Sequence, residues 1–194
     1  MRSTASVMRM DDLIPKILDD ETKFAQVFDL RETPLICSDL VIQYCAANAC
    51  GKYNANWTCP PGVGVPEECM AKVKSYSKVL IFRSEYKIGE WYEYEKVEET
   101  IRRHQANVRR IRDLIPNDIG DHLILSGGGC VYCKECAYVK KEKCRHPDIA
   151  IPPIEAYGVD IFRFTKKNNI RYRSPDGEMY YFGMILFNRS SSEG

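Results

Sequence analysis

The clearest pattern along the chain lies between Trp91 and Ile115. There Tyr94, Val97, Ile101, His104, Val108, Ile111 and Ile115 recur at alternating spacings of three and four, which makes one apolar stripe of an amphipathic helix. Pro116 ends it. The β-branched apolar run from Lys78 to Phe82 predicts a buried strand. Further strands are predicted at His122 to Leu125, Val159 to Phe162 and Met179 to Phe187, the last after a Pro175-Asp176-Gly177 turn. Asp11 to Asp19 reads as a short helix, and Phe24 to Leu30 fits a helix or a strand. Ser38 and Asp39 open a helix through Leu40, Val41 and Ile42 that ends near Cys45. The mixture predicts an α+β fold: a single compact domain over 1–194, with a mixed sheet, one long amphipathic helix and two cysteine-rich cluster-binding loops. Residues 1–36 form an N-terminal segment with no recognisable role.

Composition narrows the function classes. Apolar residues make up 44% and charged residues 28%, which excludes long disorder. Lys and Arg total 28 against 27 Asp and Glu, so no global basic excess drives binding to nucleic acid. The first residues lack the apolar core of a signal peptide, and no apolar run approaches the roughly 20 residues a membrane span needs. The expectation is a cytoplasmic protein with no membrane and no nucleic-acid partner. Arg102, Arg103, Arg109, Arg110 and Arg112 give the long helix a basic face, read as a solvated surface balanced by Glu95, Glu98 and Glu99 or as a dock for an acidic partner.

Nine cysteines in such a chain point to metal rather than disulfides. They fall into two groups about sixty residues apart. The second contains Cys130, Cys133 and Cys136 at every third position, then Cys144. A tight loop of that spacing can turn three thiolates onto one cubane, and Cys144 completes the set. Zinc is the alternative, although it favours paired knuckles joined by a longer loop. The first group, Cys45, Cys50, Cys59 and Cys69, lies in a segment rich in turn formers; Cys69 also fits as the opening of the helix after Pro66. Cys37 sits in an apolar stretch and reads as a structural thiol. Gly127, Gly128 and Gly129 precede the second group with no Gly-Lys-Ser/Thr ending. They read as bare backbone that approaches cluster sulfides rather than a nucleotide loop.

The pattern Cys45-x4-Cys50-Gly51-x-Tyr53-x3-Trp57-x-Cys59-Pro60-Pro61, joined to Cys130-x2-Cys133-x2-Cys136-x7-Cys144-Arg145-x-Pro147, resembles the DUF2284 family of anaerobic bacteria and archaea. The likeness continues through Glu155-Ala156-Tyr157-Gly158-Val159 and Tyr181-Phe182-Gly183. It implies cysteine-ligated iron–sulfur binding at these positions, with Cys69 matching a cysteine often found after the Cys-Pro-Pro element. It implies no particular reaction.

Three functions follow. Two [4Fe-4S] clusters on eight cysteines would serve electron transfer to a redox protein partner, and no acid–base or nucleophile motif argues for an enzyme instead. If Cys69 is not a ligand, Cys45, Cys50 and Cys59 would leave an open iron for substrate or sulfur, with Lys52 or Glu68 near for proton transfer. The third is structural zinc in an interaction protein.

Overall fold

The computed structural model describes residues 9–89 and 94–188; Trp91, at the start of the predicted helical stripe, lies outside them. A 3-10 turn at Met10–Leu13 runs into helix α1 (Ile14–Ile17), followed by strand β1 (Thr22–Asp29), helices α2 (Asp39–Ala46) and α3 (Pro66–Lys74), and strand β2 (Lys78–Lys87). Helix α4 (Tyr94–Arg112), strand β3 (His122–Leu125), helix α5 (Ile161–Lys167) and strand β4 (Glu178–Phe187) complete the order, with 3-10 turns at Ala137–Lys140 and Ile154–Tyr157. The fold is α+β. Among the described residues no helix is long and apolar enough to cross a membrane.

Local chemistry accounts for the helix starts. The Ser38 hydroxyl accepts the Leu40 N–H (3.2 Å) at the head of α2, a conventional N-cap. Pro66 occupies the first turn of α3, with Glu67 and Glu68 beside it and Lys72 and Lys74 in the last turn. That placement suits both the missing proline N–H and the helix dipole.

The four strands form one sheet in the order β1-β2-β4-β3, and every ladder is antiparallel. The expected mixed sheet is corrected on this point. The last strand, β4, enters between β2 and β3 and runs against both; parallel pairing among the described residues is confined to an isolated bridge between Ser126 and Pro153. The strand expected at Val159 to Phe162 is also replaced. Val159 makes a single bridge to Cys37, after which the Asp160 carboxylate accepts the Arg163 N–H (2.9 Å) and starts α5. Capping thus wins over β-propensity in a short apolar run. Phe24 to Leu30, ambiguous between helix and strand, lies mostly in β1.

Alternation along β2 divides the core. Val79 and Ile81 join Phe164, Phe182 and Met184 on one face, whereas Leu80 and Phe82 join Leu13, Ile17, Val108 and Ile111 on the other, as a period of two requires. Gly183 stands opposite Phe82, and a Cβ added there would overlap the Phe82 ring. The arginines of α4 are largely spent inside the molecule. Arg103 pairs with Glu21 (2.6 Å) and Arg110 with Asp19 (2.6 Å), Arg102 donates to the Val131 carbonyl (2.6 Å), and Arg112 donates to that of Asp148. Their common role is to tie α4 to the N-terminal segment and to the second cysteine region.

His104 lies on the apolar stripe of α4 and is 0% exposed. Its Nε2 is 3.2 Å from both the Gly127 N–H nitrogen and the Phe182 carbonyl, and its ring stacks on Tyr181 with centroids 5.2 Å apart. Burial pushes this imidazole down to about 3. Since the folded value lies below the unfolded one, the contribution to stability is present above about pH 6.5 and fades as pH falls, because only the unfolded chain takes up the proton. Denaturant unfolding should show a loss of about 2 kcal/mol between pH 7.5 and pH 5 from this group. His104→Phe should remove that part of the slope whatever its effect on stability at pH 7.5.

Candidate metal centre

Each cysteine group is presented by irregular backbone hung on a regular element. Cys45 sits in the last turn of α2, and the left-handed residues Asn48, Gly51 and Asn54 fold the chain back towards Cys50 and Cys59. Asn48 Oδ1 accepts the Tyr53 N–H (3.0 Å) to close that reversal, the usual habit of Asn in tight turns. Cys45, Cys50 and Cys59 line one mainly apolar cavity of about 610 Å³, together with Gly128, Gly129 and Glu155. Cys130, Cys133, Cys136 and Cys144 line a second, narrow cavity with Asn56, Trp57, Thr58 and His146.

The two cavities share a wall. A Cβ added to Gly129 would lie 3.0 Å from Cys59 Sγ and 3.4 Å from Lys52 Cγ, so the sulfur of the first group rests on the backbone just ahead of the second. The reverse also holds. Thr58, next to Cys59, accepts the Cys130 N–H on its hydroxyl (3.2 Å), and Asn56 Nδ2 donates to the Cys130 carbonyl (2.8 Å). Trp57 Nε1 donates to Glu142 O (2.9 Å), and its ring meets Tyr138 edge-on at 5.0 Å. From the other side α4 holds the same segment: His104 takes the Gly127 N–H, Gln105 Nε2 donates to Gly129 O (2.8 Å) and Arg102 to Val131 O.

Seven of the eight expected cysteines are therefore gathered into two sets, and one is not. Cys69 is buried on α3, where its sulfur would be 3.7 Å from a Cβ on Gly64, and it is absent from the wall that holds Cys45, Cys50 and Cys59. Gly128 and Gly129 line the first cavity rather than the second, and the Gly127 amide is committed to His104. Asn56, Thr58, Gln105 and Arg102 emerge only from the three-dimensional arrangement. A polar residue set into an apolar helical stripe, as His104 is, was the one sequence signal pointing to them.

Electrostatics shows what these sets need. Burial pushes the Cys45 thiol up to about 11, with Glu155 and Cys50 adding to the rise, and the Cys59 thiol up to about 12, with Cys50 and Cys45 contributing. Cys130 is raised by burial and then by Cys136, Cys133 and Cys144. Thiolates crowded in a low dielectric resist ionisation unless a cation compensates them, which is the service a bound metal performs. Among the described residues no three His, Cys, Asp or Glu converge tightly enough to hold a single ion. The donor chemistry, three thiols in one cavity and four in the other, fits a metal group.

The model of the family described as "Predicted metal-binding protein (DUF2284)" matches residues 29–187. The chain belongs to the DUF2284 family. No curated protein and no solved structure matches it. The matched span takes in both cysteine sets and strands β2, β3 and β4, but only the last residue of β1, Asp29.

The contact between the sets can be tested without metal analysis. Thr58→Val preserves shape but leaves the Cys130 N–H without its acceptor and removes the hydroxyl bond to Asn56 Oδ1 (3.0 Å). Urea unfolding should show a loss of about 1–3 kcal/mol, the usual cost of stranding a buried donor.

Proposed function

We propose that the chain holds two iron–sulfur clusters that pass single electrons between them, and that its work is intracellular electron transfer to a redox protein. The observation that carries this reading is the shared wall: Cys59 Sγ rests on Gly129, whose next residue is Cys130. Clusters in these two cavities would be joined by a few covalent bonds and one van der Waals step. The second set, with three cysteines at every third position and a fourth beyond, has the arrangement a cubane uses. Zinc is the weaker fit, because it favours paired knuckles joined by a longer loop, and three cysteines at every third position leave one over in that arrangement. The alternative of catalysis at a three-thiolate cluster draws support from the position of Cys69 outside the first cavity.

The surface around the first cavity supports a protein partner. Tyr44 (67% exposed), Phe162 (42%), Leu40 (39%) and Tyr172 (38%) form its rim. From 161 to 173 the chain carries five cations, Arg163, Lys166, Lys167, Arg171 and Arg173, and no carboxylate; all five are exposed. Phe162 and Lys166 share a helix face at i, i+4, as do Arg163 and Lys167. An apolar contact ringed by positive charge suits an acidic redox protein.

Protein purified without oxygen should contain about eight irons and eight acid-labile sulfides. Cys50→Ser and Cys133→Ser should each remove or perturb one cluster in the EPR spectrum of the reduced protein and spare the other; stoichiometric zinc without iron would sink the proposal. With an acidic ferredoxin as probe, electron exchange should slow as salt rises. Reversing Lys166, Lys167 and Arg173 to Glu together should slow it about tenfold at low ionic strength, without loss of iron.

A further inference from the structure

We infer that the Glu155 carboxylate is the fourth protein donor to the first cluster, beside Cys45, Cys50 and Cys59, and that Cys69 stands outside the donor set. The assignment rests on the two-cluster reading and names the ligands of one of its sites.

Four observations converge on Glu155. It occupies the wall of the same cavity as the three sulfurs. The 3-10 turn at Ile154–Tyr157 buries Ile154 and Ala156 in the protein and leaves Glu155 as the polar side chain turned to the cavity. It is also the foremost charged neighbour of Cys45. Finally, among the described residues no salt bridge engages its carboxylate. The nearest guanidinium in the cavity wall, that of Arg163, pairs with Asp160 at 3.3 Å. A half-buried carboxylate in a mainly apolar cavity is held better beside a cation, and an iron ion beside the three thiolates would supply one.

Cys69 has the opposite surroundings. Its sulfur packs beside Gly64, and the charged group that acts on it is Glu68 rather than Cys45, Cys50 or Cys59. A buried thiol in that position behaves as a small apolar side chain.

Carboxylate carries the same charge as thiolate but is a harder donor. One iron of the first cluster would then be held less covalently than the other three, on the side that opens to the rim. That iron is the one lost first on oxidation and the one an added thiol can reach.

The experiment compares anaerobically purified wild type, Cys69→Ser, Glu155→Gln and Glu155→Cys by iron content and EPR. Cys69→Ser should keep about eight irons and the wild-type spectrum. Glu155→Gln should shift the signal of one cluster and, after mild oxidation, lose about one iron to give a [3Fe-4S] signal sooner than wild type. Glu155→Cys should keep all the iron and resist that conversion, which separates ligation from a merely structural role. If Glu155→Gln matches wild type in both spectrum and oxidation while Cys69→Ser loses the first cluster, the assignment is overturned and the two-cluster reading stands. Wild type free of iron and sulfide would overturn both.

Discussion

The segment from Gly127 to Val131 is the constraint on which both cysteine sites depend. It is gripped from two directions. Helix α4 supplies His104, Gln105 and Arg102 to Gly127, Gly129 and Val131, and the loop before Cys59 supplies Thr58 and Asn56 to Cys130. Backbone that leaves a strand and enters an irregular loop would otherwise carry unpaired amides and carbonyls at a buried place, each costing on the order of 1–3 kcal/mol. Here side chains from distant parts of the sequence meet those needs one after another. The position of Cys130 is consequently fixed against Cys59 and against the sheet at once.

Two features follow from that grip. A Cβ on Gly129 would come within 3.0 Å of Cys59 Sγ, tighter than an ordinary contact, so a side chain there would push on that sulfur, and Gly128, with φ of +73°, turns the chain where a side chain would be strained. The glycines are thus explained by close approach to protein atoms before any cofactor is considered. Thiols brought so near one another in a dry setting then raise one another's proton affinity, a charge crowding that a cation would relieve.

Much of this was legible in the sequence, though unevenly. The strands at β2, β3 and β4 and the stripe of α4 showed in their periodicity, because each buries a continuous apolar face. The second cysteine set, whose members line one cavity, was legible because they are close in sequence. The sheet's antiparallel character was not, since it depends on β4 returning from the far end of the chain to lie between β2 and β3. The helix at α5 was hidden by an apolar, β-branched start whose fate rests on one capping carboxylate, Asp160. The arginines of α4 looked like a surface patch because the acids and carbonyls that engage them, at Glu21, Asp19 and Val131, are remote in sequence. Cysteine counting could group Cys69 with Cys59 by spacing alone, but not sense that its helix turns it towards Gly64.

A scaffold that only needed to hold two separate metal groups could have used two self-contained loops. This chain instead builds each cavity partly from the other's loop: Asn56, Trp57 and Thr58 wall the second site, and Gly128 and Gly129 wall the first. Each cavity takes part of its wall from the other's loop, and the Thr58 hydroxyl and the Cys130 N–H join the two. Such coupling adds nothing to a pair of independent structural ions, whereas for electron passage it fixes the one quantity that matters most, the separation between donor and acceptor. The interleaving of the loops is therefore the physical reason to treat the two cavities together in the proposed relay, with the apolar rim of the first as the face proposed for its partner.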